Sequence, residues 1–208
     1  MATEATVSRQ THEWVDLVSP SHPFFFRALV DGLDPLSMTV TVRKKTETVP
    51  LAQEVGFDAE IVGRDFDNPM IRKLGIPLRA AQLALQAPEA DVALCSRNAM
   101  CILASKARGI PSIHFTDNDI TAHVDGLRAE KLYNRLEALA THNVVPEAFD
   151  TWELKRWGAS SKSIHTYDGL KEHVYVANFE PTPGFTDQLP FDEYVVVRPE
   201  AMTAAYVD

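Results

Sequence analysis

Trp14-Val15-Asp16-Leu17-Val18-Ser19-Pro20-Ser21-His22-Pro23-Phe24-Phe25-Phe26-Arg27-Ala28-Leu29-Val30 is the stretch whose reading decides the fold. A short β-type run leads into a polar loop, and the loop into a segment that turns helical and that Gly32 can end. This is one βα unit, and the same order recurs downstream. Strands are expected over 37–42, where Met38, Val40 and Val42 alternate with threonines, and over 58–62, 91–94, 110–115, 143–145 and 163–167. Helices are expected over 46–55, 71–87, 99–106, 127–140 and 147–157, several of them closed by a glycine (Gly56, Gly109, Gly158). Gly75 and Pro77 blur the start of the 71–87 segment.

Repeated alternation with short connections predicts an α/β, Rossmann-like fold: a mostly parallel sheet with helices on both faces. In such a sheet ligands bind beyond the carboxyl ends of the strands, where loops converge and helix N-termini point their free N–H groups. Polar clusters fall at those ends: Ser19-Pro20-Ser21-His22, Ser96-Arg97-Asn98, Asp117-Asn118-Asp119, Pro146-Glu147 and Asp168-Gly169. They mark a candidate ligand site without naming the ligand.

The chain has 208 residues, 45% of them hydrophobic, enough for one ample core. With 29 acidic against 20 basic residues the net charge is −9, which gives nucleic-acid binding no electrostatic support. Cys95 and Cys101 match no metal-knuckle or redox spacing and are expected reduced in the core. No apolar run reaches membrane-spanning length and the first ten residues lack a signal-peptide centre, so a cytoplasmic protein without a transmembrane segment is expected. No cofactor or metal is expected from the sequence, although the carboxylates of the Asp117-Asn118-Asp119 turn would also suit a divalent cation.

The domain organisation read from the chain is a disordered stretch over 1–12, a Rossmann-like domain over 13–178, a Pro-rich linker over 179–192, and the start of a second domain over 193–208. Tyr194-Val195-Val196-Val197 is a strong β-type run that would begin that second domain.

Taken in order, Trp14-Val15-Asp16-Leu17 with Ser19-Pro20-Ser21-His22, the Asp117-Asn118-Asp119 turn, Pro146-Glu147-Ala148-Phe149, Tyr167-Asp168-Gly169-Leu170-Lys171-Glu172 and Val195-Val196-Val197-Arg198-Pro199-Glu200 resemble the family called domain of unknown function 354. The third residue of the Asp117 turn is often Glu in that family. The resemblance implies the N-terminal half of a GT-B architecture and a glycosyltransferase-like protein of carbohydrate metabolism. The partners it implies are a nucleotide sugar, a sugar or lipid-linked acceptor, and a second domain encoded separately. It leaves two alternatives: a sugar-nucleotide 2-epimerase-like enzyme, or a non-catalytic binding or assembly module that has lost its second domain.

The residues allow a division of roles. His22 and Asp117 are the candidate bases, an imidazole because it titrates nearest neutrality and a carboxylate because it follows a buried strand directly. His22 also reads as a loop histidine that bonds the following turn, and the Asp117-Asn118-Asp119 run as turn and cap chemistry. Candidate substrate-binding residues are Ser21, which also suits helix capping; Arg97 and Asn98, a cation and an amide beside a helix start; Asn118 and Asp119; and Gly169, Lys171 and Glu172, placed to line a cleft. Arg97 equally suits pairing with a carboxylate. Glu147 reads first as a helix-dipole residue, and His114 as a core residue.

Overall fold

Seven strands join into a single all-parallel sheet in the order β3-β2-β1-β4-β5-β6-β7. The computed structural model describes residues 11–33, 37–45, 47–64, 69–117, 128–177, 179–191 and 193–197. The strands are β1 (His12–Leu17), β2 (Ser37–Lys44), β3 (Ala59–Arg64), β4 (Val92–Ser96), β5 (Ser112–Phe115), β6 (His142–Pro146) and β7 (Ile164–Tyr167). Between and after them run α1 (His22–Leu33), α2 (Thr48–Glu54), α3 (Pro69–Gln86), α4 (Ala99–Arg108), α5 (Arg128–Glu137), α6 (Trp152–Arg156) and α7 (His173–Val176). The expected Rossmann-like fold is the observed one.

Side chains alternate across β1, so its two parities feed two cores. Val15 and Leu17 pack with Phe25, Phe26, Val40, Val42 and Leu94 under α1 and α2, and α7 adds Val174 and Tyr175. Trp14 faces the other way, toward Leu83 of α3 and Met100, Cys101 and Ile102 of α4. Phe24, the remaining member of the aromatic triplet, is 40% exposed. Cys95 and Cys101 are free thiols, both buried.

The register puts Trp14 beside Thr39 and Ala93, and Asp16 beside Thr41 and Cys95, so a carboxylate sits in the middle of a buried sheet. Asp16 is fully buried, and Arg79 of α3, which also bonds Val62 O on β3, meets it. α3 runs through Pro77, whose missing N–H breaks one helical bond. The burial of Ala80 and Leu83 and the Arg79 anchor offset that loss.

Two expected elements differ. The helix over 147–157 is reduced to Trp152–Arg156. Glu147 N–H donates to Tyr167 O at 2.9 Å, Phe149 N–H to Pro146 O, and Asp150 Oδ1 accepts the Trp152 N–H at 2.9 Å, so local turns take the backbone groups a helix would use. The β-type run 194–197 joins no ladder of the sheet, and Val195 is 87% exposed. A β-prone sequence needs a facing edge, and no described strand supplies one to this run. Among the described residues, no helix is long and apolar enough to cross a membrane.

Candidate functional site

Because all seven strands are parallel, every polar cluster read from the sequence within the described residues lies at one edge of the sheet. The strand order reverses between β1 and β4, with the loops to α1 and α4 on either side, and a switch point of this kind is where a parallel sheet forms its ligand crevice. Asn118 and Asp119 lie outside the described residues, as do residues 1–10 of the expected disordered start.

His22 is the first residue of α1 rather than a loop residue, because Pro23 suits a first helical turn that needs no N–H donor. Its backbone N–H reaches Ser19 O at 3.0 Å, and Phe25 N–H reaches Ser21 O at 3.3 Å. The imidazole is 4% exposed, edge-on to Phe26, and its Nδ1 accepts the Val18 N–H at 3.3 Å. Burial first, and then the nearby Lys171 ammonium, push its pKa down to about 3, against the opposing pull of Asp16 and Asp117. The ring is therefore neutral near pH 7. With Nδ1 accepting, the proton resides on Nε2, and the side chain offers the crevice a donor rather than a lone pair.

Asp117 follows β5 and its Oδ2 lies 2.8 Å from Lys171 Nζ; the two side chains are 24% and 12% exposed. Lys171 comes from the loop after β7, two strands away from β5. It reaches Asp117 because α7 packs on α1, which draws the β7–α7 loop back across the strand ends. Gly169 makes the reversal at φ +123, and a Cβ there would lie 2.9 Å from His173 Nδ1. Leu170 N–H bonds the same His173 nitrogen at 3.3 Å. Tyr167 joins the group: burial and the Asp117 and Glu172 charges raise its pKa. Sequence reasoning missed Tyr167, since a strand-terminal tyrosine gives no local signal. Glu172 is exposed beside it, and Ser21 is exposed at the head of α1.

Across the switch point, Asn98 caps α4, its Oδ1 accepting the Cys101 N–H at 3.2 Å and its Nδ2 donating to Asp16 Oδ2 at 2.6 Å. It is fully buried, with both ends of its amide engaged inside the protein. Arg97 sits at φ +43, a left-handed backbone conformation. Its Nη1 donates to Glu137 Oε2 at 2.8 Å and to Asn134 Oδ1 at 3.2 Å. Behind Glu137, the buried His114 bonds Asn143 Oδ1 through Nδ1 at 2.9 Å and faces Glu137 Oε1 with Nε2 at 3.7 Å. A separate cavity of about 460 Å³ opens beyond β2 and β3, with Lys44, Arg64 and Arg79 in its lining. Among the described residues, no group of three His, Cys, Asp or Glu side chains is placed to hold a metal ion.

The crevice thus brings a neutral N–H donor, a carboxylate, an ammonium and a guanidinium to the ends of β1, β4, β5 and β7. Such a set can take a proton from a hydroxyl and hold an anionic group.

A family model described as "Protein of unknown function (DUF354)" matches residues 11–208. No curated protein matches the chain in sequence. Among solved structures, UDP-N-acetylglucosamine 2-epimerase from Rickettsia bellii aligns at TM-score 0.62 and 14% identity, covering 82% of this chain and 48% of that one. UDP-GlcNAc 2-epimerase from Neisseria meningitidis, bound to UDP-GlcNAc, gives 0.58 and 12%, covering 77% and 47%. HepE from Anabaena in complex with UDP-glucose gives 0.54 and 14%, covering 77% and 44%. The chain spans just under half the length of these proteins, and at such identity the likeness is one of fold.

Proposed function

The chain belongs to the DUF354 family, and on that premise we propose that it is the acceptor-side half of a nucleotide-sugar-dependent glycosyltransferase, residues 13–178 forming the acceptor-side domain. The observation that carries the reading is the meeting of Asp117, Lys171 and the neutral His22 at the strand ends. In this reading the Asp117 carboxylate takes the proton of the acceptor hydroxyl as its oxygen bonds to the sugar's anomeric carbon. The bond from that carbon to the diphosphate breaks, and the electron pair leaves with the diphosphate. Lys171 and Arg97 offset the charge that develops there, and His22 Nε2–H steadies a ligand oxygen. His22, first read as a base, becomes a donor. The fold neighbours that act on UDP-N-acetylglucosamine favour a second reading, a 2-epimerase-like enzyme using the same crevice.

The test is a nuclear magnetic resonance titration of the labelled chain with UDP-glucose and UDP-N-acetylglucosamine. Shifts clustered on His22, Arg97, Asp117 and Lys171, and weakened by Lys171→Met, are expected. An absence of shifts with both ligands, or shifts confined to the Lys44 and Arg64 cavity, would overturn the proposal.

A further inference from the structure

Arg97 holds a left-handed backbone conformation that is strained for a non-glycine residue, and such strain persists only where the surroundings over-determine it. Here one helix does so. Tyr133, Asn134 and Glu137 lie on one face of α5, three and four residues apart. The Tyr133 hydroxyl accepts the Ala99 N–H at 3.2 Å and donates to Arg97 O at 3.4 Å, spanning the turn that carries the strain. Asn134 and Glu137 take the guanidinium, both through Nη1.

Glu137 is itself buried and backed by His114, so it is a fixed anchor rather than a mobile surface carboxylate. The guanidinium is tethered at one corner. Its Nη2 and Nε make no bond among the described residues, and the side chain keeps 26% exposure at the switch-point edge. A planar fork held from behind with two donors forward is the arrangement that fits paired oxygens of a phosphoryl group.

We propose that Tyr133, Asn134 and Glu137 are positioning residues that preset Arg97 as a fixed two-donor site for a phosphoryl group of the ligand. Tyr133 holds the turn, and Asn134 with Glu137 form a seat for the guanidinium. The inference rests on the nucleotide-sugar reading above and assigns to α5 a role in it that the residues of that helix do not announce in sequence.

The experiment titrates the chain with inorganic pyrophosphate and with UDP-glucose, in wild type, Arg97→Gly, and Arg97→Gly with Glu137→Gln. Glycine tolerates the positive φ, so the turn survives while the fork is removed; circular dichroism and thermal melting check folding. Arg97→Gly is expected to weaken pyrophosphate binding about tenfold or more. Millimolar guanidinium should restore it in Arg97→Gly, where the seat remains, and fail to do so once Glu137→Gln removes the seat's charge. Tyr133→Phe is expected to weaken pyrophosphate binding with arginine present. Restoration independent of Glu137, or no loss with Arg97→Gly, overturns the inference. If UDP-glucose binds equally well to wild type and Arg97→Gly, the nucleotide-sugar reading stands and this one falls. If pyrophosphate binding depends on Arg97 and UDP-glucose binds no tighter, the phosphoryl site stands and the nucleotide-sugar reading falls. If neither ligand binds wild type, both fall.

Discussion

Arg79 grips both carboxylate oxygens of Asp16 inside the sheet, Nη1 to Oδ2 at 2.8 Å and Nη2 to Oδ1 at 2.7 Å. Its Nε donates to Val62 O at 2.8 Å, so one side chain of α3 ties β3 to β1. Thr41 Oγ1 donates to Asp16 Oδ1 at 2.6 Å while accepting from Trp14 Nε1 at 2.8 Å, and Asn98 adds its amide. Asp16 therefore joins three strands, α3 and the cap of α4, directly beneath the crevice. Burial works against the charged form of Arg79, but the Asp16 charge, the hydrogen bonds to Asp16 and smaller contributions from Cys101 and Tyr133 together outweigh it, leaving the Arg79 pKa raised.

Arg79→Leu leaves that carboxylate buried without its cation. A loss of about 3–5 kcal/mol in unfolding free energy is expected, read from urea or guanidinium denaturation. Adding Asp16→Asn should recover part of it, because a neutral amide can still use Thr41 and Asn98. Equal stability of Arg79→Leu and wild type would contradict the account.

His22 makes stability depend on pH in a defined window. Its folded pKa of about 3 lies below the ordinary 6.5, so between these values the unfolded chain binds a proton that the folded one refuses. The contribution is fully present above pH 6.5 and is lost as pH falls toward 3, by up to about 4 kcal/mol at the lower end. His22→Gln retains an acceptor for the Val18 N–H and has no proton to bind. Denaturation midpoints measured across the window should fall less steeply with acid in His22→Gln than in wild type; parallel slopes would refute this.

Gly169→Ala tests the reversal that carries Lys171 to Asp117. At φ +123 any side chain is strained, and the new Cβ meets His173 Nδ1 at 2.9 Å. A loss of about 1–3 kcal/mol is expected, together with faster proteolysis between β7 and α7. Gly169→Ala/His173→Ala should recover only the steric part, so a full recovery would assign the effect to the clash alone.

The fold was legible because its signals are local. The first βα unit, the alternation of strands 37–42 and 110–115, and the glycine closing α4 are each dictated by side-chain periodicity and backbone preference within a few residues. The shortened helix at Trp152–Arg156 was not, since Asp150 and the Tyr167 carbonyl compete for its backbone N–H groups, and Tyr167 is seventeen residues from Asp150. Nor was the unpaired run 194–197, because strand formation depends on an available edge.

For the candidate site, sequence alone determined which residues stand at strand ends, among them His22, Arg97, Asp117 and Lys171, because parallel strands put every such end on one edge. Tertiary structure decided what each can do there. Long-range burial and the Val18 N–H made His22 a neutral donor, the packing of α7 on α1 set Lys171 against Asp117, and α5 seated Arg97 on Glu137. Charge state and hydrogen-bond direction depend on groups brought together from distant segments, and a single chain read in order carries no measure of those distances.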